Sequence, residues 1–158
     1  LYEINKDEFT FHGIDIFEDT NDKIDSHEMT KKHNRLSNPL KHLIFNIILK
    51  KNFFSIESIY TFLKKFKNNV QLYKGFSETE LPKIDMTNID MIFLDGGHSY
   101  ETVKNDLSII LKGIKKDKII ICDDYDQLTY GVKKAVDELT NHVSEIKKLN
   151  KRLVRITV

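Results

Sequence analysis

The chain has 158 residues, the size of one domain, and its 40% hydrophobic and 31% charged residues are enough for a packed core under a water-facing surface. Twenty-five basic against 24 acidic residues leave a net charge of +1, which offers no field for nucleic acid or an anionic membrane. No apolar run reaches the length of a membrane span, and the single cysteine, Cys122, excludes an internal disulfide and favours a reducing, cytoplasmic setting.

Leu1 to Glu8 reads as the frayed end of a helix, and Phe9 to Phe17 alternates and then turns apolar, the pattern of a strand that runs into Asp15. Thr20 to Ser37 is polar and charged, a solvated connection or a lid. Pro39 to Lys50 has the spacing of an amphipathic helix. Ser55 is a plausible N-cap for a second helix, with Ile56, Ile59, Tyr60, Leu63 and Phe66 as its stripe. Val70 to Tyr73 is a short strand and Gly75 to Lys83 a loop.

Met91 to Leu94 reads as a buried strand, followed by Asp95, two glycines and His98. Ser99 can cap the next helix, whose inward positions are Val103, Leu107, Ile110, Leu111 and Ile114. A strand over Ile119 to Cys122 ends in Asp123-Asp124. Gly131 opens a helix with Val132, Ala135, Val136, Leu139 and Val143 inward. Glu145 to Val158 reads as two strands around a turn at Asn150-Lys151. Strands alternating with amphipathic helices predict an α/β fold: a doubly wound, mostly parallel, Rossmann-like sheet with an antiparallel hairpin at its C-terminal edge. One domain is expected over 1–158, with 20–54 as a lid or substrate insertion.

In such sheets ligands bind beyond the carboxyl ends of the strands, and three strands here end in acids: Asp15, Asp95 and the pair Asp123-Asp124. A strand-end carboxylate such as Asp15 suits a ribose diol, although it could equally cap the next element. Asp95, Asp123 and Asp124 offer the oxygen ligands that magnesium prefers. Adjacent acids repel unless a cation, a lysine or protonation relieves them. His98, after the diglycine, could serve as a general base near neutral pH; a lone histidine in such a turn is more often structural.

DGGHSYETVKNDL, then a strand with CDDY, then GVKKAVDEL, resembles the class I S-adenosylmethionine-dependent methyltransferases. More narrowly, it is similar to the branch of macrocin-type (TylF-like) sugar O-methyltransferases and related small-molecule enzymes. GIDIFED at 13–19 resembles that fold's second strand with its ribose-binding acid, and GFSETELPKI at 75–84 the loop after the third strand, with Ser77 near the adenine. The resemblance covers about Phe9 to Leu139. It implies a metal-assisted methyl transfer to a small-molecule hydroxyl, a sugar included, with S-adenosylmethionine as donor. Asp95 would be a metal ligand beside that donor, His98 the base, and Asp123 and Asp124 the other ligands of a magnesium ion. The family's first strand and glycine-rich cofactor loop should precede the second strand, and nothing before Phe9 supplies them. The chain is therefore expected to be the C-terminal part of a larger enzyme. Its oligomeric state is open, a homo-oligomer included.

A receiver-like magnesium-binding signalling domain also uses an acidic pair and a lone aspartate, but carries the pair first; here Asp95 precedes Asp123-Asp124. An inactive remnant of the methyltransferase fold is the third reading. A nicotinamide dehydrogenase is disfavoured because no GxGxxG occurs.

Overall fold

The structure is a computed structural model and describes residues 9–17, 55–66 and 68–158. The expected frayed end over 1–8, the connection over 20–37, the helix over 39–50 and the lid over 20–54 lie outside the described residues. Two compact units divide the chain, one running to residue 76 and the other comprising chiefly residues 77–158.

In the first unit, β1 (Phe11–Asp15) and β2 (Val70–Lys74) pair in parallel, Phe11 opposite Val70 and Asp15 opposite Lys74. Parallel neighbours need a crossover, and α1 (Ile56–Phe62) lies within it. Ser55 caps α1 as expected: its hydroxyl accepts from the Ser58 amide at 3.2 Å. The helix is tied to its sheet through Tyr60, whose hydroxyl accepts from the Leu72 amide at 3.0 Å.

The second unit begins with α2 (Ser77–Glu80) and two 3-10 turns, Leu81–Lys83 and Met86–Asn88. There follow β3 (Met91–Leu94), α3 (Tyr100–Gly113), β4 (Ile119–Cys122), α4 (Val132–Asp137), β5 (Glu145–Lys148) and β6 (Val154–Thr157). The sheet order is β3-β4-β6-β5. The β3–β4 pair is parallel, and the terminal hairpin is antiparallel, with β6 against β4 and β5 at the edge.

Periodicity explains the core of this unit. Val103, Leu107 and Ile110 recur at one face of α3, and Val132, Ala135 and Val136 at one face of α4. Ile120 and Cys122 on β4 alternate in register with Val154 and Ile156 on β6. All ten are buried, each of the larger ones contributing about 1.5–3 kcal/mol relative to exposure.

Three details depart from the sequence reading. The segment from Gly75 to Lys83 is not all loop: α2 and a 3-10 turn occupy it, with Pro82 in the first positions of the turn, where a missing N–H costs least. The last helix ends at Asp137, so Leu139 and Val143 fall beyond it. And β3 lies at the edge of its sheet, with Met91 60% and Phe93 55% exposed, although its run of apolar residues reads as a buried strand. An apolar run reports that both faces can be covered; it does not report what covers them.

Candidate active site

Register decides where the acids go. Leu94 lies opposite Cys122 in the parallel β3–β4 pair, so Asp95 and Asp123 leave the sheet at the same edge. The Asp123 amide donates to the Leu94 carbonyl at 3.0 Å, extending the ladder by one bond. Asp124 then turns the chain with φ of 53°, a left-handed conformation that aspartate tolerates better than most residues. Its amide donates to Asp123 Oδ1 at 2.7 Å.

His98 is positioned from the opposite side. Ser99 caps α3, its hydroxyl accepting from the Thr102 amide at 3.1 Å, and this fixes the turn that carries the histidine. The Gly131 amide donates to the His98 carbonyl at 2.8 Å. A β-carbon on Gly131 would lie 2.2 Å from the Tyr100 nitrogen, so only glycine lets the start of α4 come this close to the start of α3. The Tyr130 ring stacks on the imidazole, with centroids 4.3 Å apart and planes at 29°.

As a result, ligand atoms of Asp95, His98 and Asp124 lie within 4.8 Å of one another. His98 Nε2 is 3.2 Å from Asp124 Oδ2, and both side chains are largely covered. Asp95 is the most open of the three, yet its carboxyl titrates above the ordinary value. Partial desolvation is the larger cause and the negative charges of Asp123 and Asp124 the next. Asp123 is turned elsewhere. Arg152, from the turn between β5 and β6, donates from Nε to Asp123 Oδ1 at 3.0 Å and from a terminal nitrogen to Oδ2 at 2.6 Å, a two-pronged pair. The same terminal nitrogen is 3.2 Å from Asp124 Oδ1. These partners, Asp123 first, push the guanidinium further above its already high value.

The structure thus brings Asp95, His98 and Asp124 together and sets Asp123 beside them in the grip of Arg152. Two carboxylates and an imidazole are a donor set that fits a hard or borderline divalent cation, with Asp95 and Asp124 supplying the oxygens. Arg152 holds both Asp123 oxygens at 3.0 and 2.6 Å, whereas the two Asp124 oxygens meet Arg152 and His98 at the longer distance of 3.2 Å each. Asp15 belongs to the other unit, where its Oδ1 accepts from the Phe17 amide at 2.7 Å; that bond fixes the carboxylate at the end of β1. Ser77 opens α2 and its side chain hydrogen-bonds to Asp106, a buried carboxylate on α3. Sequence reasoning missed Arg152, Tyr130 and Asp106. The available signal for the first was the diacid's need for a counter-charge.

Against known proteins, the family described as "Methyltransferase domain" (Methyltransf_24) matches residues 3–125. An uncharacterized protein of Acanthamoeba polyphaga mimivirus is 35% identical over 68 residues, 40% of this chain and 31% of that protein. Among solved structures, the O-methyltransferase NovP superposes with a TM-score of 0.62 at 16% identity, over 95% of this chain and 60% of NovP. The calicheamicin methyltransferase CalS11 gives 0.56 at 17% identity, over 94% of this chain and 60% of CalS11. The SAH-bound methyltransferase PaMTH1 of Podospora anserina gives 0.50 at 18%, over 65% and 55%. The chain thus spans about three fifths or less of each of these four proteins. The α/β fold is that of the class I methyltransferases, and the chain belongs to the Methyltransf_24 family of methyltransferase domains.

Proposed function

We propose that this chain is part of a single-domain, cytoplasmic S-adenosylmethionine-dependent methyltransferase that transfers a methyl group to a hydroxyl of a small molecule, a sugar included. The observation that carries the reading is the convergence of Asp95, His98 and Asp124 at the common end of β3 and β4. Membership of the methyltransferase family supports the reaction class, and similarity to an O-methyltransferase supports oxygen as the acceptor atom. Asp15 at the end of β1 is assigned to the donor's ribose, Ser77 to its adenine side, and residues 20–54 to the choice of acceptor.

S-adenosylmethionine supplies a methyl carbon on a positively charged sulfur, which leaves as a neutral thioether. The acceptor hydroxyl must give up its proton as its oxygen bonds to that carbon and the carbon–sulfur bond breaks. His98 takes the proton, directly or through one water, and Asp124 Oδ2, 3.2 Å from Nε2, stabilises the imidazolium that forms. Tyr130 and the Gly131 amide hold the ring and its backbone, so the base is oriented before substrate arrives. A divalent cation between Asp95 and Asp124 would lower the pKa of the hydroxyl and orient it.

Calorimetry with S-adenosylhomocysteine on the full-length protein tests the donor site, and transfer of labelled methyl to a panel of sugars and phenols tests the reaction. Binding is expected to be lost in Asp15→Asn. Turnover is expected to fall by about 10²–10⁴ in His98→Ala and to drop on adding EDTA. A full-length protein that binds no S-adenosylhomocysteine would be an inactive relative, and the enzymatic reading would fall.

A further inference from the structure

Arg152 has no part in the proton transfer just described, yet it is the only described side chain that reaches both members of the acidic pair. Its placement is built in. Asn150 Oδ1 accepts from the Arg152 amide at 2.7 Å and the Leu153 amide at 2.9 Å, which shapes the hairpin turn. The Arg152 carbonyl accepts from the Tyr125 amide at 2.8 Å, pinning that turn to the chain just after Asp124. The Arg152 backbone is therefore fixed beside the acids, and its side chain, still 59% exposed, reaches them from that turn. Two of its nitrogens take both oxygens of Asp123, and one leans on the outer oxygen of Asp124 while the inner oxygen faces His98.

We infer that Arg152 is a positioning residue that acts as a tethered internal cation, withholding Asp123 from any metal and leaving a two-carboxylate site of Asp95 and Asp124. This deepens the proposed function and rests on its metal assignment. Three carboxylates of one sign gathered at one strand end need opposing charge. Arg152 supplies one permanent positive charge within hydrogen-bonding reach of two of them, and so competes with an external cation both electrostatically and for ligand oxygens. A divalent ion at this site would have to be weakly held and shared with substrate oxygens.

The test reads the cluster without turnover, by titrating the full-length protein with Mn²⁺ and following the loss of the free-ion EPR signal together with the melting temperature. Arg152→Gln is expected to bind Mn²⁺ about tenfold or more tightly than wild type, because a repelling charge is gone and Asp123 is released as a third ligand. Should Arg152→Gln be unfolded alone, Mn²⁺ at about 10 mM is expected to refold it. The double variant Asp123→Asn with Arg152→Gln removes the freed ligand and is expected to return to wild-type affinity. Equal or weaker Mn²⁺ binding by Arg152→Gln, failure of the cation to refold it, or a double variant as tight as the single one would overturn the inference. Binding of S-adenosylhomocysteine, measured separately, reports on the methyltransferase reading, so the two can fail independently.

Discussion

Replacing Asp106 by asparagine should change how the protein's stability depends on pH. Asp106 sits on α3 and is 1% exposed; its Oδ1 is buried and has no hydrogen-bond partner. Burial pushes its carboxyl from the ordinary 3.8 up to about 6; the Ser77 hydrogen bond opposes this and the Glu78 charge adds to it. A folded value above the unfolded one means that folding favours the protonated form. The stability this provides is whole below pH 3.8 and is lost as pH rises through about 6. The interval corresponds to about 3 kcal/mol. Asparagine keeps the size and an acceptor oxygen for Ser77 and cannot ionise, at a cost of about 1–3 kcal/mol for its buried unpaired N–H groups. Urea denaturation of both proteins from pH 4 to pH 8 should therefore show Asp106→Asn gaining on wild type by about 2.5 kcal/mol over the range. A stability difference that stays constant with pH would refute this account of Asp106.

Cys122 is fully buried on β4, and burial pushes its thiol up to about 12. It should resist iodoacetamide in the native protein and react only on unfolding; labelling of native protein at neutral pH would contradict the packing described for β4. Gly131→Ala should destabilise by about 2 kcal/mol or more, because the added carbon meets the Tyr100 backbone, which cannot rotate away. An unchanged melting temperature would mean that α3 and α4 do not approach as described. Ser99→Ala should cost about 1 kcal/mol and speed exchange of the Thr102 amide, and unchanged exchange would show that the cap is not made.

What the sequence made legible was local. Strand ends that run into acids, the Ser99 cap and the α3 stripe depend on residues within a few positions of one another. The hairpin over Glu145 to Val158 was readable for the same reason. The site itself needed pairings across the fold. A diacid's demand for positive charge is visible in CDDY, but the residue that meets it lies in a hairpin turn with no local mark of that role. Asp106 looks like one more solvated acid until α2 is packed over it. The helix from Gly131 was overextended because apolar spacing continues through Val143, while Thr140 and Asn141 favour the helix less than the turn that forms.

The close approach at Gly131 has a consequence for selectivity. His98 is clamped at three points: its carbonyl by the Gly131 amide, its ring face by Tyr130 and its Nε2 by Asp124. Swinging the imidazole aside would break the Asp124 contact and the stacking on Tyr130. A ligand seated as proposed would therefore meet a held imidazole and be sorted by whether its own shape can present a polar group there.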